Sequence, residues 1–131
     1  MTAEIKEAHA KLKAFALSLP GAFEDFPWGE SVIKVNKKIF VFYGMADDPH
    51  DQLYLGVKLP RTGEYALGMP FVKPSGYNLG KYGWVSINLS PDDDIPMDLF
   101  IEWIEESYRA IAPKKLIAQL DADRTANDLI S

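Results

Sequence analysis

The residues with the most chemical promise lie between Lys73 and Trp84, where Gly76-Tyr77-Asn78-Leu79-Gly80-Lys81-Tyr82 mixes glycines, aromatics and a lysine. A phosphate-binding loop of the nucleotide hydrolases needs four residues between its glycines and a Ser or Thr after the lysine to hold Mg²⁺. Here three residues separate Gly76 from Gly80, and Tyr82 stands where the hydroxyl ligand would be. The segment also runs into a strand pattern rather than a helix, so no helix N-terminus faces a phosphate. Nucleotide hydrolysis is excluded on these grounds. The glycines read as a tight connection that tolerates φ > 0, with Tyr77, Tyr82 and Trp84 as packing residues. Tyr77, Lys81 and Trp84 nonetheless stay open as the lining of a pocket for a protein or a small anionic ligand, because polar and aromatic loop tips are where binding usually sits.

Other chemistries assemble less well. The chain has no cysteine, which removes disulfides, thiolate metal sites and cysteine nucleophiles together. Its two histidines, His9 and His50, are far apart; His9 borders an apolar stripe and reads as a packed histidine. His50 sits with Asp47, Asp48 and Asp51 in a turn that lacks calcium-loop spacing and a bidentate Glu. No metal and no cofactor is expected. Ser31, Ser75, Ser86 and Ser107 have no nucleophile-elbow context. Glu24 and Asp25, followed by Trp28-Gly29, read as a charged loop anchored by a buried Trp28. The expectation is a non-enzymatic protein.

Basic residues beside rings give the best physical candidate. Lys37 and Lys38 mark a hairpin tip, Lys34 and Lys58 a strand face, and Lys73 and Lys81 a loop rich in aromatics. Such a set suits contact with a nucleic-acid backbone. No zinc finger, ribonucleoprotein signature or basic zipper accompanies it, and a scatter of solubilising lysines is the competing reading. The net charge of −5 is uneven. Residues 1–89 hold ten Lys/Arg and nine Asp/Glu, whereas residues 90–131 hold four and ten. Phosphate-driven affinity from such a chain is expected to be weak and salt-dependent.

The elements that must position these residues follow from periodicity. Ile5, Ala8, Leu12, Phe15, Ala16 and Leu19 share one helical stripe that Pro20-Gly21 ends. Ser31–Val35 and Lys38–Tyr43 read as a hairpin joined through Asn36-Lys37. Gln52–Leu59 alternates, with Leu53, Leu55, Val57 and Leu59 on one face. Thr62–Leu67 reads as a short helix, Phe71–Gly83 as a loop and Trp84–Leu89 as the last strand. A long helix carries Phe100, Ile101, Ile104, Tyr108 and Ile111 on its core stripe. Asp98, Glu102, Glu105, Glu106 and Arg109 form its wet face. Lys114–Leu120 continues for another turn or two, and residues 121–131 read as a polar, frayed tail. Helix, antiparallel strands, helix: the expected fold is a two-layer α+β sandwich in a single domain over residues 1–120. No stretch approaches the ~18 apolar residues of a membrane span, and the charged N-terminus does not read as a signal peptide. The expected compartment is the cytoplasm.

Taken in order, several pieces resemble one family. They are Leu19-Pro20-Gly21, Glu24, Trp28-Gly29, Lys38-Ile39-Phe40, Lys58-Leu59-Pro60, Pro74, Gly80-Lys81, Gly83-Trp84, and Tyr108 with Ala112-Pro113-Lys114. From about Ile5 to Leu120 the chain is similar to the MmcQ/YjbR-like proteins, small bacterial domains. The resemblance implies a fold like that of frataxin and CyaY, and DNA binding through hairpin wings. The matching positions are Lys37, Lys38, Lys58 and Lys81. The same fold invites iron, yet the first helix mixes Lys6, Lys11 and Lys13 with Glu4 and Glu7, a poor metal ridge.

Overall fold

The computed structural model describes residues 3–45, 52–76, 79–90 and 93–130; the expectations for Asp47, Asp48, His50, Asp51, Tyr77 and Asp92 lie outside the described residues. Ile5, Ala8, Leu12 and Ala16 recur every three or four residues, so one buried stripe holds α1 (Ala3–Ser18) on the core. The chain then reverses at Gly21, whose φ is 75°. That left-handed conformation favours glycine, and a Cβ there would also press on Leu116 Cδ1 at 2.9 Å and make the leucine shift.

Among the described residues six strands follow: β1 (Phe23–Asp25), β2 (Glu30–Val35), β3 (Lys38–Met45), β4 (Leu53–Lys58), β5 (Val72–Pro74) and β6 (Trp84–Leu89). They form one antiparallel sheet in the order β1-β2-β3-β4-β6-β5. The β2–β3 hairpin closes through Asn36 and Lys37, both left-handed at φ 50° and 67°, as a two-residue type I′ turn requires. α2 (Gly63–Leu67) fills the β4–β5 connection, and α3 (Met97–Ile111) and α4 (Lys114–Ile130) end the chain. Ile5 and Leu12, Ile33, Leu55 and Ile87, and Phe100, Ile104 and Tyr108 belong to one buried cluster between helices and sheet. The sandwich is therefore α+β with helices on one face.

Four expectations are corrected. The Phe71–Gly83 segment is not all loop: Val72 pairs with Ile87 and buries its side chain, and Leu79–Tyr82 forms a 3-10 turn. Pro74 is tolerated because β5 is the sheet edge. Trp103, absent from the expected stripe of α3, is buried, while Ile101 and Ile111 are half-buried. The chain beyond Leu120 is helical to Ile130 rather than frayed. Its polar side chains are held by α3: Arg109 donates to Asp121 at 2.7 Å, and Arg124 pairs with Glu105. Finally, Trp28 is not a buried anchor; it is 80% exposed.

Ser107 has a structural task. The β2–β3 register skips a residue between Val41 and Ile39, leaving Phe40 as an extra residue in β3. Ser107 Oγ, fully buried on α3, donates to the Phe40 carbonyl at 2.6 Å and accepts the Lys58 amide at 2.9 Å. It bridges the ladder where β3 and β4 part. Glu106 beside it accepts from the Arg61 and Thr62 amides and the Thr62 hydroxyl. The chain leaving β4 is thus tied to α3.

Candidate nucleic-acid interface

Side chains alternate along a strand, so residues between the core positions of the sheet point away from the helices. The register aligns Asp25, Val32, Phe42, Gly56, Ser86 and Lys73 in one row across all six strands. One step toward the hairpin lie Lys34 opposite Ile39 and Lys58 opposite Trp84. The Phe42 and Trp84 rings meet edge to face, 5.3 Å between centroids. Gly56 makes this close packing feasible: a Cβ there would sit 3.1 Å from Phe42 Cβ and 3.4 Å from Tyr54 Oη. A hydroxyl string, Tyr54 Oη to Ser86 Oγ at 3.3 Å and Ser86 Oγ to Ser75 Oγ at 3.0 Å, runs toward the β5 edge.

Trp28 stands over this face for a local reason. β1 and β2 are joined by a short link in which Pro27 fixes one φ and the Phe26 amide donates to Asp25 Oδ1. Completing the reversal takes two left-handed residues, Trp28 at φ 56° and Gly29 at φ 78°. For an L-residue that conformation costs roughly 1–2 kcal/mol. The indole is directed outward instead of into the core. Trp28, Glu30, Phe42 and Leu79 line a cavity of about 510 Å³. Burial pushes the Glu30 carboxyl up from its ordinary value, against a backbone hydrogen bond from Gly44.

The six lysines are distributed as follows. Lys34, Lys58 and Lys73 lie on the open face by register. Lys34 is held by Asp25 at 2.7 Å. Lys37 and Lys38 are exposed at the hairpin tip. That tip is at the same sheet end as Lys58, because Val41 pairs with Val57. Lys81 joins that end beside the first residue of β6, its Nζ 5.3 Å from the Tyr82 ring centre. Tyr82 is 61% exposed, so it is not the packing residue expected; Trp84 is packed. Lys81 and Trp84 also line a cavity of about 650 Å³ with Arg61, Glu64 and Tyr82. The carboxylates of Asp98, Glu102, Glu105 and Glu106 are on α3, in the layer behind the sheet. Sequence reasoning missed Phe42 and Glu30. Their alternation was readable, but which face lies free of helices was not.

Glu24, singled out as one of a carboxylate pair, faces the helices. Its Oε2 binds Lys13 Nζ at 2.8 Å and accepts from Ser31 Oγ at 2.7 Å. Burial raises its pKa, but the Lys13 and Ser31 hydrogen bonds together outweigh it and hold the carboxyl below its ordinary value. His9 packs edge to face on Tyr43 at 5.0 Å, and burial, with Lys13 nearby, keeps it below the ordinary histidine range. Among the described residues no three metal-ligating side chains converge, and no helix is long and apolar enough to cross a membrane.

A family model described as YjbR matches residues 17–110, more than half of the chain. No curated protein matches the chain significantly.

Proposed function

The chain belongs to the YjbR family, and on that premise we propose that it is a non-enzymatic DNA-binding module that uses the open sheet face and the hairpin end. One observation carries the reading: Lys34, Lys58 and Lys73 share a face with Phe42 and Trp84, while the α3 carboxylates lie in the layer behind. Phosphates approaching the open face meet the Lys58 and Lys73 ammonium groups, ring edges and the Ser75–Ser86 hydroxyls, while Lys34 is shared with Asp25. The acidic helices orient the domain by repulsion rather than preventing contact. Combining Lys37→Glu, Lys58→Glu and Lys81→Glu should abolish gel-shift binding at low ionic strength. Single Lys58→Ala should flatten the log affinity against log salt slope by about one. Absence of any DNA binding by the unaltered protein at low salt overturns this reading.

A second reading rests on the cavity of about 650 Å³ lined by Arg61, Lys81 and Trp84, which suits a small anionic ligand. Tryptophan fluorescence titrated with anionic metabolites checks it; silence throughout counts against it.

A further inference from the structure

The aromatic side chains of the open face do something that a duplex cannot use. In double-stranded DNA the π-faces of the bases are stacked on each other, and a protein meets base edges and phosphates. Trp28 offers a ring that is 80% exposed, on a backbone held left-handed, above a cavity walled by Phe42 and Leu79. At about 510 Å³ the space is within the range of small-ligand sites. Its fourth lining residue is Glu30, a carboxylate acceptor of the kind that amino and imino groups on a base edge require.

Charge complements the rings. Lys58 and Lys34, the latter paired with Asp25, flank the Phe42 row on the hairpin side. Lys73 lies three strands from Phe42 in the same row, roughly 14 Å at the usual strand spacing, with Gly56 and Ser86 between. Rings that stack a base, with lysines along the path of a backbone, are the pattern by which single strands are held. We propose that the cradle of Trp28, Phe42, Leu79 and Glu30 receives an unstacked base, and that the DNA held by this domain is single-stranded. The inference rests on the DNA-binding reading above and narrows it to one substrate class.

The test compares one mixed-sequence oligonucleotide of about 12 residues, single-stranded and annealed to its complement, by fluorescence anisotropy at low salt. The single strand should bind roughly tenfold tighter or more, and should quench tryptophan emission. Trp28→Ala should bring single-strand affinity down to the duplex level with the salt slope unchanged; Trp28→Phe should keep most of the preference. Because the indole is exposed, both variants should melt as the parent does or later. Equal or tighter duplex binding, or a single-strand preference that survives Trp28→Ala, overturns the inference and leaves the DNA reading standing. Binding to neither form removes both. A concentration-dependent dimer in sedimentation that Trp28→Ala dissolves assigns the cradle to a second copy of the chain, and also overturns the proposal.

Discussion

Ser107 illustrates how much one atom can hold. Its hydroxyl serves both a carbonyl in β3 and an amide at the end of β4, in a site with no solvent access. Ser107→Ala should strand both groups and destabilise the fold by about 1–3 kcal/mol. Chemical denaturation reads that loss directly, and a change below ~0.5 kcal/mol would show that the strands satisfy themselves without it. In the sequence Ser107 is one more helical serine without a nucleophile-elbow context. Its actual role depends on the extra residue at Phe40, which no local pattern reveals. Trp28 is the opposite case. A tryptophan is ordinarily read as an anchor, yet this one sits on a left-handed backbone with its indole 80% exposed.

At the scale of elements, strong periodicity was legible and weak periodicity was not. The stripe of α1, the hairpin at Asn36-Lys37, the alternation of β4 and, apart from Trp103, Ile101 and Ile111, the core side of α3 follow from spacing. β5 escaped because it has three residues, one of them proline, and is defined only by its partner Ile87. The second half of α4 escaped because charge partners on α3 hold it, not an apolar stripe. Glu105 is central to that contact. Its hydrogen bond from Arg124 and then that from Arg109 hold the carboxyl below its ordinary 4.5, against burial. A group depressed in the folded state stabilises fully above its unfolded pKa, and that contribution is lost as pH falls through the lower folded value. Melting temperature should therefore fall more steeply below pH about 4.5 in the parent than in Glu105→Gln. At neutral pH the variant should be less stable by about 0.5–1 kcal/mol, since the pairs are partly exposed. Parallel melting curves across the acid range would assign the acid response to other carboxylates.

For the whole molecule, two layers separate two kinds of surface. The net charge of −5 is a sum over a carboxylate-rich helical layer and a sheet face where lysines and rings gather. The imbalance between the first 89 residues and the last 42 was plain in the sequence, but its consequence needed the topology. Only the strand order places Lys58 beside Trp84 and lines Lys73 up with Phe42 through Gly56 and Ser86. The matched region, residues 17–110, contains every described strand and almost all of α3. Nearly all of α1 and the whole of α4 lie outside the matched region.

The hairpin turn carries a consequence of its own. Asparagine tolerates φ > 0 through its short polar side chain, whereas lysine does not, yet Lys37 stands at φ 67°. Glycine is the residue that folding alone would favour there. Lys37→Gly should accordingly raise thermal stability by about 0.5–1 kcal/mol while weakening DNA retention and reducing the salt slope by about one. If stability rises and retention holds, the ammonium is idle; if both move in opposite directions, position 37 is a place where durability is surrendered for charge.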